Sequence, residues 1–206
     1  MASRRLVLGT HNRKKGLELL ELLEPFGFEL RCLAELPHAI EVEETGKTFC
    51  RNAQLKATQQ AVHLRQWVLG EDSGLCVEAL SDAPGVYSAR FSGPQATDDE
   101  NNAKLLRELK DLPFEKRTAY YVCHATLSDP TGKVRAESEG RCYGRIRQEA
   151  SGSGGFGYDP LFEVVEYHRT FGELGNAVKS VLSHRSRALR EIAPQIVALA
   201  ASGEWT

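Results

Sequence analysis

No apolar stretch of the sequence approaches the length that a membrane span needs, so an integral membrane protein is not expected. There is no basic surplus either: 26 Lys and Arg stand against 28 Asp and Glu, a formal net charge of -2. Without such a surplus, and without recurring basic-aromatic stripes, a chain cannot hold a polyanionic strand by counterion release. Nucleic acid is therefore not expected as a partner. The five cysteines (Cys32, Cys50, Cys76, Cys123 and Cys142) are odd in number and contain no C-x-x-C pair. That excludes a disulfide scaffold and the usual paired-cysteine zinc motif, and the expectation is reduced, buried thiols in a cytoplasmic protein. Arg4-Arg5 is followed by only Leu6–Leu8 before polar residues resume, too short for a secretory signal core. Internal repeats and the G-x-x-x-x-G-K spacing of a Walker A loop are also missing.

What is present is 41% hydrophobic residues in 206, enough for a core in one domain or two joined lobes. Arg4–Gly9 reads as a buried strand, followed by a helix with Leu17, Leu20 and Leu23 on one face that ends at Pro25 and Gly27. Phe28, Leu30 and Cys32 alternate as a second strand, and Phe49, Ala53, Ala57, Ala61 and Leu64 mark one side of a second helix. Trp67–Leu69 predicts a third strand running into a polar turn at Glu71-Asp72-Ser73-Gly74. Thr97 and Glu100 have the spacing of a capping box ahead of another helix. Residues 117–128 and 134–143 predict a hairpin across Asp129-Pro130-Thr131-Gly132. Ser151–Gly157 reads as a packed loop despite its linker-like composition, because aromatic and apolar residues follow it directly. A last helix carries Ala188, Leu189, Ile192, Ile196 and Leu199, with Pro194 expected to kink or break it. Strand alternating with helix, then strands in succession, predicts α/β or α+β with a sheet parallel at first and antiparallel later.

Several segments carry chemistry. Thr10-His11-Asn12-Arg13-Lys14-Lys15 lies between a strand and a helix, where backbone N–H groups favour a phosphate, although Asn12 as a simple helix cap fits equally well. Glu44 and Asp72, each at an element end, are the hard oxygen donors that magnesium takes beside phosphate. Asn52 and Lys56 share a helix face. Pro84–Phe91 receives no chemical role. Ser153–Asp159 offers glycines for close approach, an aromatic face and a carboxylate acceptor, the groups a base pocket needs. Ser183-His184-Arg185 opens a helix with cations, against the macrodipole, unless an anion or electron-rich group approaches.

Taken in order, T-H-N-R-K-K, E-E-T-G-K-T-F, N-A-Q-L-K-A, E-D-S-G-L, P-G-V-Y-S-A-R-F, G-G-F-G-Y-D-P and S-H-R resemble the Ham1-like inosine triphosphate pyrophosphatase family, from Leu6 to about Leu189. The resemblance implies a single α/β domain over 1–206: an elongated mixed sheet flanked by helices, in two lobes with a central nucleotide cleft, commonly a homodimer. It implies hydrolysis of ITP, dITP and XTP to the monophosphate and pyrophosphate. Thr10, Asn12 and Lys15, within the segment that also holds His11, Arg13 and Lys14, would bind phosphates with Lys56. Glu44 and Asp72 would hold Mg²⁺, and Asp72 would also be the catalytic base. Ser73, Phe156, Gly157, Tyr158, Asp159, Lys179, His184 and Arg185 match the remaining substrate contacts, with His184 and Arg185 as donors to a 6-oxo purine. The sequence departs from the family pattern at His11, at Glu71 in place of a frequent Asp, and at Gly172 and Gly175 ahead of Lys179. A Maf-like pyrophosphatase of other base preference and a non-catalytic nucleotide sensor are the alternatives.

Overall fold

A computed structural model describes residues 4–205. One seven-stranded sheet runs in the order β2-β1-β3-β4-β5-β6-β7. Its strands are β1 (Arg5–Gly9), β2 (Glu29–Cys32), β3 (Val68–Val77), β4 (Thr118–Ser128), β5 (Val134–Ile146), β6 (Phe162–Val164) and β7 (Arg169–Thr170). The helices are α1 (Arg13–Leu23), α2 (Phe49–Leu64), α3 (Asp98–Glu108), α4 (Phe171–Leu182) and α5 (His184–Ala201). Parallel pairing of β1 with β2 and β3, and antiparallel pairing of β5, β6 and β7, give the mixed α/β sheet that the element order predicts. No helix among the described residues is long and apolar enough to cross a membrane.

The chain divides into two compact units. One comprises residues up to Asp72, Cys123–Gly140 and the chain from Arg185 on, and the other Ser73–Val122 with Arg141–His184. In the first, Leu6, Leu8 and Leu69 from the sheet pack with Leu19 and Leu23 of α1 and with Ala188, Leu189, Ile192 and Ile196 of α5. Val7 and Val68 point to the opposite side, toward Ala61 of α2 and Leu33. Each leucine fully removed from water there contributes about 1.5–3 kcal/mol. The second unit has its own core of Leu75, Val77, Leu105, Leu109, Tyr121, Tyr158, Phe162 and Phe171.

Several expectations change. The buried stripe of α1 is Gly16, Leu19 and Leu23, and Leu17 is exposed. No turn interrupts the third strand, since β3 runs through Glu71-Asp72-Ser73-Gly74 to Val77, and both acids therefore stand within a strand rather than at its end. Of the kink or break expected at Pro194, the break does not occur, since the helix continues to Ala201. Cys32 and Cys50 are half-buried rather than buried, and all five thiols are free. The capping box at Thr97 forms as its spacing predicts.

Candidate active site

The chemistry of the first unit begins where β1 ends. Gly9 pairs with Gly70, so β1 ends at its carboxyl edge just short of the level of Glu71 and Asp72, which continue within β3. There Asn12 caps α1, its Oδ1 accepting from the backbone N–H of Lys14 at 3.0 Å and Lys15 at 3.1 Å, while Thr10 Oγ1 accepts from Asn12 N. The bland reading of Asn12 as a cap is therefore correct as far as it goes. Lys15, however, is no solvated cation: its Nζ is 3.1 Å from Glu71 Oε1. Arg13 and Lys14 are exposed, and exposed His11 is turned to the Ile40 carbonyl at 3.1 Å.

Strand alternation sends Glu71 and Asp72 to opposite faces of β3. On the Asp72 face, α2 lies against Gly70, where a Cβ would stand 2.6 Å from both Ala53 O and Ala57 N. Only glycine permits that approach, and it brings Asn52 and Lys56, one helical turn apart, onto Asp72. Lys56 Nζ is 2.8 Å from Asp72 Oδ1 and 3.3 Å from Glu44 Oε1. Asn52, fully buried, donates to Asp72 Oδ2 at 3.1 Å and accepts from Gly46 N at 2.8 Å, so one side chain ties the Glu44 loop to Asp72. Two carboxylates thus converge on one positive centre, and their hard oxygen donors suit a divalent cation of the magnesium class. Burial, the largest influence, raises the Asp72 pKa; Glu44 adds to it, while Lys56 and Lys15 oppose. Burial alone would lower the Lys56 pKa, but Asp72, Glu71 and Glu44 raise it, so the ammonium stays charged.

On the other face Glu71 is sealed from solvent among Lys15, the Cys123 thiol and Arg185, whose Nη2 lies 3.5 Å from Glu71 Oε2. Arg185 Nη1 meets Glu18 Oε2. Burial would raise the Glu71 pKa, yet Arg185, Lys15 and Lys56 hold it well below the usual carboxylate range. Arg185 thus meets two carboxylates, Glu71 and Glu18. Glu18 and Cys123 escaped sequence reasoning because their partners are distant in the chain. Glu71 stood out only as a departure from a family pattern.

In the second unit, the loop Ser151–Gly157 is packed as expected. Gly154 N donates to Gly172 O at 2.9 Å and Thr170 Oγ1 to Ser151 O at 2.6 Å. Asp159, buried, accepts from Phe156 N at 2.8 Å and from Lys179 Nζ at 2.6 Å. That ammonium also lies 4.2 Å from the Phe156 ring centroid, and the His184 ring stacks on Tyr121 with centroids 4.7 Å apart. Phe156, Asp159 and Lys179 are therefore brought together. The chain around Lys179, where the sequence departs from the family pattern, is helix α4, interrupted at Gly175 (φ 75°, ψ 175°). Gly157 is fixed by Asp98 and Asn102, at 2.9 and 3.0 Å. Tyr158 is 4% exposed within the core, and its hydroxyl donates to Ser88 O at 2.8 Å. That bond gives the Pro84–Phe91 segment its role, a seat for the loop. Ser73 follows Asp72 in β3 with its side chain on the opposite face.

Known proteins resemble this chain over nearly its whole length. A dITP/XTP pyrophosphatase of Rhodopirellula baltica is 56% identical over 96% of this chain and 95% of its own length. One from Desulforamulus reducens is 48% identical over 91% and 92%. Among solved structures, a HAM1 protein from Coxiella burnetii superposes with a TM-score of 0.84 at 34% identity, covering 97% of this chain and 99% of its own. A nucleoside-triphosphatase / dITP/XTP pyrophosphatase from Mycobacterium abscessus gives 0.74 at 41% identity, covering 92% and 99%. With a model of the Ham1 family matching residues 6–195 in addition, the chain belongs to the Ham1 family.

Proposed function

We propose that this chain hydrolyses non-canonical purine nucleoside triphosphates (ITP, dITP and XTP) to the monophosphate and pyrophosphate. The observation that carries the reading is the convergence of Glu44 and Asp72 on Lys56, in a family whose relatives are named dITP/XTP pyrophosphatases. Glu44 and Asp72 are the proposed ligands of Mg²⁺; when bound, the ion supplies fixed positive charge and makes water near it more acidic. Asp72 is the proposed base. As the water oxygen bonds to the α-phosphorus and the bond to the bridging oxygen breaks, Asp72 takes the water's proton. Lys15 and Lys56 offset charge on the departing pyrophosphate, and Thr10 and Asn12 at the start of α1 orient the phosphates.

Phe156, Asp159, Lys179 and His184 are assigned to the purine. The buried Lys179 ammonium is a donor with no capacity to accept, so it favours a 6-oxo group over the 6-amino group of adenine. Lys179→Met should lower kcat/KM for ITP by roughly 10- to 150-fold, the range set by one hydrogen bond to a charged group. ATP hydrolysis should change little, narrowing the ratio. Parallel losses on both substrates, with circular dichroism unchanged, would remove Lys179 from base recognition. A homodimer acting in the cytoplasm completes the proposal, supported by the resemblance and checked by sedimentation and fractionation. The direct test of activity sets ITP, XTP, GTP, ATP and TTP against the protein with and without Mg²⁺. Pyrophosphate from ITP and XTP, dependent on the metal, is the expected result. Orthophosphate as the first product, or ITP left intact, would refute it.

A further inference from the structure

Away from Glu44 and Asp72, on the flank of α2 that carries Cys50 and Gln54, lies a second group of ligating side chains that the pyrophosphatase reading does not use. Cys50 Sγ, one ring nitrogen of His124 on β4 and a carboxylate oxygen of Glu137 on β5 all lie within 4.8 Å of one another. It is the one such trio of His, Cys and carboxylate groups found among the described residues. We propose that Cys50, His124 and Glu137 form a binding site for a borderline-soft divalent cation of the zinc class.

Three observations carry this. First, the donor set is one thiolate, one imidazole and one carboxylate, the ligands that zinc combines, whereas magnesium avoids sulfur. Zinc bonds of about 2.0–2.3 Å at tetrahedral angles place ligand atoms about 3.3–3.6 Å apart, so a separation within 4.8 Å leaves a contraction that side-chain torsions can supply. Second, the cluster is already braced. Glu137 Oε1 accepts from Gln54 Nε2 and Thr126 Oγ1, each at 3.0 Å, and faces His124 Nε2 at 3.3 Å. These bonds all fall on Oε1, and such outer partners orient ligating groups around a metal. Third, His124 turns Nε2 toward that carboxylate at 3.3 Å, so one imidazole nitrogen and one carboxylate oxygen already face each other as two ligands of a single ion would. Three protein ligands leave the fourth position to water or a small ligand, and Glu137, exposed at its surface side, leaves the site accessible.

The full-length protein, stripped with chelator and returned to Mg²⁺, is titrated with Co²⁺ as the probe. One equivalent should produce thiolate-to-cobalt charge-transfer absorption in the near ultraviolet, displaced by Zn²⁺ and indifferent to excess Mg²⁺. The Glu44–Asp72 pair has no sulfur and cannot give that band. Cys50→Ser should abolish it, and His124→Ala should weaken Co²⁺ binding by more than the roughly 10- to 100-fold that loss of an outer-shell partner costs. Both variants should keep their circular dichroism spectrum and Mg²⁺-dependent turnover. Absence of the band in the parent protein, or its survival in Cys50→Ser, would overturn the proposal. Neither result bears on the pyrophosphatase reading.

Discussion

Asp72→Asn is expected to lower kcat for ITP by about 10²- to 10⁴-fold, the contribution of a positioned general base, while leaving the folded protein almost as stable as before. The two halves of that expectation come from the same fact. Asp72 is 5% exposed, and burial raises its pKa despite the ammonium 2.8 Å away. A carboxylate whose pKa is raised by folding costs stability at neutral pH, since the unfolded chain ionises it more readily. The sign is opposite to that of an ordinary salt-bridged aspartate. Asparagine removes the desolvation cost along with the charge, keeps the shape, and still offers an oxygen to Lys56 or Asn52. What it loses is proton affinity and one hard anionic ligand. Thermal melting within a few degrees of the parent, with turnover collapsed and ITP binding retained, is the predicted combination. Near-normal turnover would remove Asp72 from the chemistry; collapse of both turnover and melting temperature would make its role structural.

The elements were legible in the sequence where local signals agree. The alanine face of α2, the Thr97–Glu100 box and the Asp129–Gly132 turn each state their conformation within a few residues. α1 shows the limit. With Leu17, Leu19, Leu20, Leu22 and Leu23 in seven positions, more than one stripe satisfies the helical period, and only the sheet beneath selects Leu19 and Leu23. The failure at β3 has another cause. Glu71-Asp72-Ser73-Gly74 has the composition of a turn, and it stays extended because its acids find cations contributed by α1, α2 and α5. Those partners are 56, 16 and 114 positions away, information that no local pattern carries. α4 received no helix in the sequence reading, where Gly172 and Gly175 stood out only as departures from the family pattern. Gly175 does break the helical path, and Gly172 is there because a Cβ would meet Ser151 O at 2.8 Å. Site residues followed the same rule: the acids and lysines were visible as types, and their pairing was not.

Arg185→Ala should produce the largest loss of stability of any single change considered. The guanidinium is 1% exposed and sits between Glu18 and a Glu71 side chain wholly removed from solvent. Deleting one member of such a group leaves the other charge buried, at a cost of about 3–5 kcal/mol. For a chain of this size that corresponds to a fall in Tm of roughly 6–20 °C. The pH dependence identifies the cause. Arg185, with Lys15 and Lys56, holds the Glu71 pKa well below 4.5 against burial. A depressed folded-state pKa contributes stability that is present above the unfolded value and is lost as pH falls through the folded one. The gap in Tm between parent and variant should therefore be widest near neutrality and shrink as acid protonates Glu71. Pairing the change with Glu71→Gln should recover part of the loss, because a neutral pair no longer buries a lone charge. A gap independent of pH, or no recovery in the double variant, would show that the guanidinium packs rather than neutralises. The ratio of ITP to ATP hydrolysis in the same variants is a separate readout. If it stays constant while Tm falls, Arg185 acts through Glu71 and the strand that carries Asp72; if it narrows as well, the guanidinium has a second role at the purine.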